Sequence, residues 1–406
     1  MTHDAESPWD RITPGSGGIE HMQYRNFGRT GWKVSALGFG AMRLPVRGKQ
    51  PMTKKIDEEE AIGMIRYAID KGVNYVDTAY VYHEQKGEGL LAKALRGGYR
   101  DQVKVATKSP IWLIKKKTDF DKYMDQQLKR LRTDHIDFYL FHALNKDAWE
   151  NIILKYGLLG RAEKAVKDGR IGGIGFSFHD DYKAFKQIVD GYDDWVLAQI
   201  QYNYLDTENQ AGTKGLKYAA SKGLPVVVME PLLGGRLASP PKPIRDSFEL
   251  RGKKVAPYEL ALRWIWDQPE VSTVLSGMST MNQVRGNLRA ANRSGIDCLR
   301  SDERKLVERA TKRYRKMTII GCTKCNYCMP CPHGVAIPVN FEEYNDAYVH
   351  DDLANARMTY ERFFNPAKRA SACKHCKACE KKCPQKLPIS DLMTKVHSVL
   401  GEGKPF

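Results

Sequence analysis

The chain predicts an α/β fold: a closed (β/α)8 TIM barrel followed by a small, mainly helical, cysteine-bearing unit. Short apolar runs alternate with longer stretches of helical period from about residue 35 to residue 290. Eight such runs fall in that span. Behind it, eight of the nine cysteines gather in two short clusters.

The runs are Ala36–Phe39, Tyr75–Asp77, Val103–Thr107, Ile136–Phe141, Ile171–Phe176, Leu197–Gln201, Pro225–Met229 and Thr273–Leu275. Between several of them a helical stretch ends at glycine: Lys71-Gly72, Asp168-Gly169 and Lys222-Gly223. Glycine just past a helix accepts the left-handed conformation that ends it. A repeated strand–helix unit implies parallel strands. Eight units in about 260 residues fit a closed barrel. A doubly wound open sheet is the alternative, but no GxGxxG follows the first run. Gly172-Gly173-Ile174-Gly175 lies inside a strand-like run instead.

The barrel spans residues 22–300 on this reading. Residues 1–21, rich in Gly, Pro and Ser, read as a disordered leader or cloning remnant, with Met22 a natural start. A charged connecting helix covers 301–317, and a ferredoxin-like domain covers 318–406. Helical spacing recurs over Phe341–Phe364, between the cysteine clusters. The length of 406 residues and the 42% apolar content support a full core. No run approaches the ~20 apolar residues of a membrane span, and the N-terminus shows no secretory signal. The expected location is cytoplasmic.

The cysteines read Cys322-x2-Cys325-x2-Cys328-x2-Cys331-Pro332 and Cys373-x2-Cys376-x2-Cys379-x3-Cys383-Pro384. Three thiolates spaced by two residues wrap one cubane cluster, and a distant fourth closes the cage. Eight such cysteines predict two 4Fe-4S clusters and an oxygen-sensitive, anaerobic, intracellular setting. Zinc uses pairs and needs no third and fourth close cysteine. A disulfide framework suits short secreted chains. With the crossed ligation usual in two-cluster ferredoxins, Cys322, Cys325, Cys328 and Cys383 hold one cluster. Cys373, Cys376, Cys379 and Cys331 hold the other. The first run closes with two residues before Cys331 rather than three. Cys298 stands apart and reads as a small buried residue.

The formal charge is +17, from basic residues spread along the whole chain. One local excess stands out: Lys368, Arg369, Lys374, Lys377, Lys381, Lys382 and Lys386 surround the second run, opposed by Glu380. Two readings remain open. The lysines offset thiolate charge, or they form a docking face for an acidic ferredoxin or flavodoxin. No nucleic-acid-binding signature is present.

Functional groups of a (β/α)8 barrel belong on loops at the C-terminal ends of the strands. Asp77 ends the second run, Lys108 follows the third, His142 follows the fourth, and Tyr82 lies in the loop after Asp77. Tyrosine is a poor acid, with a reference pKa of about 10. A neighbouring lysine favours the phenolate and lowers that value. Asp77 would pair the lysine, and His142 would orient a substrate oxygen. Such a set protonates a carbonyl oxygen without a metal.

Residues 23–290 resemble the aldo-keto reductase family. Tyr24-Arg25-Asn26-Phe27-Gly28-Arg29-Thr30-Gly31 followed by Leu37-Gly38-Phe39-Gly40-Ala41-Met42-Arg43-Leu44-Pro45 is similar to its N-terminal signature. The helical spacer between the cysteine runs resembles the helical ferredoxin unit of succinate dehydrogenase and heterodisulfide reductase subunits. The resemblance implies that Tyr82 is the general acid, that Lys108 and Asp77 tune it, and that His142 positions the carbonyl. It implies an NAD(P)H cofactor across the barrel mouth, its carboxamide held by Ser177 and Gln199. The asparagine usual after that serine is Phe178 here, and the aromatic residue that stacks on the nicotinamide falls at Met229. Around the family's 2′-phosphate clamp, Gly277 and Gln283 stand where cations are usual, while Asn287 matches. That leans toward NAD; Arg285 or Arg289 could substitute. Arg236 is a candidate for the pyrophosphate or a solvated arginine.

The implied activity is interconversion of a carbonyl and an alcohol by hydride transfer, with clusters for electron transfer, sensing or structure. The alternative is an electron-transfer protein working between a nicotinamide or flavin partner and ferredoxin, its barrel a scaffold. A flavin would couple the hydride and single electrons, but no flavin motif is visible in the sequence. Loops 109–120, 143–157 and 232–255 are candidate linings of the substrate pocket; Trp112, Trp149 and Tyr204 read either as its walls or as core.

Overall fold

A computed structural model describes residues 21–48, 52–322, 327–383 and 385–406. The leader assigned to 1–21 therefore lies almost wholly outside the described residues, as does Cys325.

The barrel strands are β3 (Leu37–Gly40), β4 (Tyr75–Asp77), β5 (Lys104–Ser109), β6 (Phe138–Leu144), β7 (Ile174–Phe178), β8 (Trp195–Gln201), β9 (Val226–Met229) and β10 (Val271–Gly277). All eight neighbouring pairs are parallel, and β10 pairs with β3 to close the ring. Ahead of them, β1 (Tyr24–Asn26) and β2 (Lys33–Ser35) form an antiparallel hairpin. Its Phe27 is fully buried, 5.2 Å from the ring of Phe138, and shares a core with Tyr75, Leu140, Leu197 and Leu275. The hairpin thus plugs the N-terminal end of the barrel, leaving the C-terminal end as the mouth.

The outer helices that position the site are α1 (Glu58–Asp70), α2 (Gly87–Ala94), α3 (Asp119–Leu131), α4 (Leu158–Lys167), α5 (Tyr182–Asp190), α6 (Gly212–Ser221), α7 (Pro257–Trp266) and α8 (Met281–Asn292). The glycines read as helix ends have φ of 96°, 77° and 69° at Gly72, Gly169 and Gly223. The dismissed glycine run lies in and just before β7, where it pairs with β8.

The charged helix α9 runs over Ser301–Met317, as its period predicts. Beyond it come α10 (Ile337–His350), α11 (Leu353–Arg362) and α12 (Ile389–Leu400). They close on a small core of Phe341, Tyr344, Tyr360, Met393 and Val396, joined by Cys379. Asn345 pins Ile320 by accepting from its N–H and donating to its carbonyl, both at 2.8 Å.

By contacts the chain divides into two compact units. One ends at Ala238 and resumes over Lys254–Arg304; the other comprises Ser239–Lys253 and Lys305–Phe406. The loop 239–253, which sequence periodicity leaves inside the barrel segment, therefore groups with the C-terminal unit. No described helix is long and apolar enough to cross a membrane.

Candidate active site and cysteine cage

Asp77 ends β4, Lys108 lies near the end of β5, and both side chains are almost fully buried. Lys108 Nζ donates to Asp77 Oδ1 at 2.5 Å, to the Thr78 carbonyl at 2.8 Å and to Tyr82 Oη at 3.3 Å. Three donors meet three acceptors, so the ammonium's hydrogen-bonding capacity is filled. Gln199, on β8, donates from Nε2 to Asp77 Oδ2 at 3.2 Å. Both carboxylate oxygens of Asp77 are thus engaged from different strands.

Tyr82 is 9% exposed and sits in a tight loop in which the next three residues have positive φ. Gly87 opens α2 beneath it. A Cβ there would stand 3.2 Å from both Tyr82 Cβ and its carbonyl oxygen, so any larger residue would press on the seat of Tyr82. His142 lies near the end of β6, its ring 6.1 Å from that of Tyr82. The β6–β7 register shifts between Phe141 and Leu144, and Ala143 takes φ of 55°. This bulge re-aims His142 into the mouth. The four residues predicted from strand ends are thus neighbours.

The electrostatics refine one expectation. Burial pushes the Tyr82 phenol above its ordinary value, and Lys108 pulls it only part of the way back. The lysine acts in the expected direction, but desolvation outweighs it. Burial pulls the Lys108 ammonium down, yet Asp77 and Tyr82 more than offset that and hold it charged. Burial raises the Asp77 carboxyl; Lys108 and Gln199 counteract part of the rise. Burial, then Lys108 and His179, drives His142 well below the usual imidazole range. His142 is therefore neutral, with one donor and one acceptor nitrogen.

The expected nicotinamide contacts divide into two groups. Ser177 Oγ accepts from the Ala143 N–H at 2.8 Å, leaving its O–H to donate. Gln199 Oε1 is buried without a hydrogen-bond partner. A carboxamide, which both donates and accepts, fits that pair. Met229 is half-buried at the end of β9. The other three point elsewhere or offer nothing charged. Gln283 Oε1 accepts from the Ser279 N–H at 2.8 Å, capping α8. Asn287 Nδ2 donates to Ser276 Oγ at 2.9 Å. Gly277 packs against the stem of Arg43. Arg285 lies over the ring of Tyr67, 5.7 Å from its centroid.

Arg236 lies with Arg43 near Glu230, whose carboxyl is raised by its surroundings and by Asp206 and lowered by both arginines. Glu230 is reached by water within the concave mouth, so that rise is smaller than for a sealed carboxyl. Trp112 remains a wall, with its ring 5.2 Å from His142. Trp149 does not: it is 2% exposed and packs against Trp195. Tyr204 is buried against Trp264. Both are core because the segments that carry them fold back onto the helices instead of lining a loop.

Sequence reading missed the support beneath the site. Gln127 of α3 donates to the Lys108 carbonyl at 3.1 Å, to Glu88 Oε1 at 2.6 Å and to Thr107 Oγ1 at 3.0 Å. Tyr139 donates to Gln127 Oε1 at 2.7 Å, and Arg130 pairs with Glu88 Oε2 at 3.3 Å. This buried network fixes the backbone that carries Lys108. A Glu and a Gln on amphipathic helices carry no local signal of such a role.

In the C-terminal unit one cavity is lined by Cys331, Cys373, Cys376 and Cys379, walled by Val335, Ile337, Ile389 and Met393. These are the four cysteines that crossed ligation assigns to one cluster. Among the described residues, no three ligating side chains converge on a single-ion position. Tetrahedral zinc, with Zn–S bonds near ~2.3 Å, would draw its thiolates closer than a cubane does. Four thiols on one cavity match the ligand number of a cubane cluster. Cys322, Cys328 and Cys383 pack on the small core of the same unit, while their partner Cys325 lies outside the described residues. Cys298 is half-buried, its Sγ 3.8 Å from the Arg263 carbonyl.

A second cavity opens at the barrel's N-terminal end, lined by Trp32, Asn74, Arg100, Lys104, His135 and Asp137. Asp137 is paired there by both Arg100 and Lys104, and it lies away from the tetrad.

A family model described as the aldo/keto reductase family matches residues 36–297, and one described as a 4Fe-4S dicluster domain matches residues 321–387. L-galactose dehydrogenase of Arabidopsis thaliana is 28% identical over 312 residues, covering 71% of this chain and 93% of that protein. The uncharacterized oxidoreductase YrpG of Bacillus subtilis is 26% identical, covering 66% and 91%. The holo form of an aldo-keto reductase from Bacillus halodurans superposes with a TM-score of 0.58 at 25% identity, covering 71% and 96%. An aldo/keto reductase from Klebsiella pneumoniae, in complex with NADP and acetate, gives 0.56 at 25%, covering 70% and 93%. With barrel and cysteine domain both matched, the chain belongs to the aldo/keto reductase family, as an oxidoreductase that carries a 4Fe-4S dicluster domain behind its barrel.

Proposed function

We propose that the barrel interconverts a carbonyl and an alcohol, with Tyr82 as the proton donor and acceptor. The observation that carries this is Lys108 Nζ, which bridges the buried Asp77 carboxylate and the Tyr82 hydroxyl. A nicotinamide dinucleotide, when bound, supplies or takes the hydride. Its carboxamide would be held by Ser177 and Gln199, with Met229 beside the ring. In reduction, the Tyr82 O–H donates to the carbonyl oxygen, and Lys108 stabilises the phenolate left behind. Neutral His142 hydrogen-bonds the same oxygen and orients the carbon. In oxidation the phenolate takes the alcohol proton. Asp77 holds Lys108 in place throughout.

Absence of a cation at Gly277 and Gln283, with Arg285 turned onto Tyr67, favours NAD over NADP. Two 4Fe-4S clusters would be held by the two cysteine sets, and they supply one-electron chemistry. Given the L-galactose dehydrogenase relative, hydroxylated aldehydes and aldoses are the first substrates to test.

Anaerobic protein should oxidise NADH with such a carbonyl, and Tyr82→Phe should lose that turnover by about 10²–10⁴-fold. Turnover that survives in the variant sinks the assignment. Metal analysis should find iron and sulfide; zinc in their place would overturn the cluster reading. Gln283→Arg should improve kcat/KM for NADPH by about tenfold, equivalent to ~1.4 kcal/mol. No change would show that the 2′ position lies elsewhere.

A further inference from the structure

We propose that the surface around Cys376 is a docking site for a small acidic one-electron carrier of the ferredoxin or flavodoxin class. This rests on the reading that Cys331 and the second run hold a cluster. Within that cage Cys379 is buried and Cys331 and Cys373 are half-buried, but Cys376 is exposed. The cage therefore opens to water on one side. Electron transfer falls off steeply with distance, so the exposed corner is where a partner gains most by approaching.

The charge around that corner is one-signed. Lys374 and Lys377 line the same cavity as Cys376. Lys381, Lys382 and Lys386 are exposed nearby in the chain. Glu380, the one acid in the run, stays ionised beside Lys377 and offsets one of the five positive charges. It is half-buried, and its Oε1 accepts from the N–H of Ser390 at 2.9 Å and from the Ser390 hydroxyl. Asp391, at the start of α12, leaves the balance positive. Among the described residues none of the five ammonium groups is in an ion pair. Lys381, Lys382 and Lys386 are not part of the cysteine cavity's lining and stand in water, beyond what offsetting thiolate charge requires. An acidic partner gains orientation and association rate from such a face. The step is the passage of one electron between the carrier and the cluster, with no bond made or broken.

The test uses the anaerobically purified, cluster-loaded full chain and purified ferredoxin and flavodoxin as probes, with binding followed by calorimetry. Binding should be measurable at low ionic strength for one of them and weaken about tenfold or more when the Debye length falls to ~8 Å. The Lys374→Glu/Lys377→Glu/Lys381→Glu variant should weaken it by at least about tenfold, with iron, sulfide and visible absorption unchanged. The control Lys214→Glu/Lys217→Glu, on α6 of the barrel unit, also makes the net charge more negative and should bind as wild type. Three results would overturn the proposal: no wild-type binding at low salt, equal binding by the triple variant, or equal weakening by the control. Wild-type protein that lacks iron and sulfide overturns the cluster reading itself, and is detected before any binding is measured.

Discussion

Lys108 in the barrel mouth is 1% exposed, while Cys376 in the cysteine cage stands in water. The first is held by three hydrogen-bond acceptors and by a carbonyl that Gln127 fixes from beneath. The second sits among short 3-10 turns, flanked by His375 and Lys377, which both take positive φ. Mouth residues come from four separate strands or loops, and the core of the barrel aligns them. Cage residues come mainly from one run of seven positions, Cys373 to Cys379, with Cys331 brought in from the other. Burial makes charge work in the mouth, where a lone ammonium in low dielectric would be costly. Exposure of one corner is what the proposed electron exchange with an outside carrier would require.

The contrast can be broken most sharply at Lys108. Lys108→Met leaves Asp77 as an unpaired buried charge and should cost about 3–5 kcal/mol of stability. It should also lower carbonyl turnover by about 100-fold or more. Thermal melts and steady-state rates check both, and a variant as stable as wild type would deny the ion pair its structural role. Cys373→Ser should halve the iron, from about eight to about four atoms per chain. Carbonyl turnover should change by less than about twofold, since the barrel forms its own compact unit. Turnover that falls in step with iron would show that the two regions work as one.

A smaller effect is expected beneath the site. Gln127→Leu removes a donor from Glu88 and the acceptor of the Tyr139 hydroxyl and should destabilise by about 1–3 kcal/mol, with kcat lowered more than KM is raised. The pH profile sharpens the electrostatic half of the comparison. Reduction needs protonated Tyr82, whose raised value keeps it protonated throughout the neutral range. The reductive rate should therefore fall only on the alkaline side, above about pH 10, while oxidation rises with pH. His142, driven well below its usual range, should add no limb near about pH 6.5. A break at that pH would mean that the imidazole titrates in place.

Much of this was legible along the chain. Spacing alone singled out the cages, because cubane ligation by a short loop imposes near-fixed intervals. Asp77, Tyr82, Lys108 and His142 were legible because the ends of parallel strands must face one mouth. Gln127 and Glu88 were not. They are polar residues on amphipathic helices, and nothing local tells a buried polar face from a solvated one. Trp149 stayed undecided for a related reason: a tryptophan in a connecting segment can line a pocket or cap a core, and packing against Trp195 chose the core. Gln283 stands where a cation is usual and Asn287 matches the family pattern, yet their amides are engaged by Ser279 and Ser276.

Periodicity and cysteine spacing thus determined the barrel, the helical cysteine unit and the chemistry types present, since both follow from local repeat geometry. Tertiary structure decided which acid balance prevails at Tyr82, because desolvation depends on all the surrounding chain rather than on one neighbouring lysine. It also decided that Cys376 is the corner left open. Those are matters of how distant segments pack, which no interval along the sequence encodes.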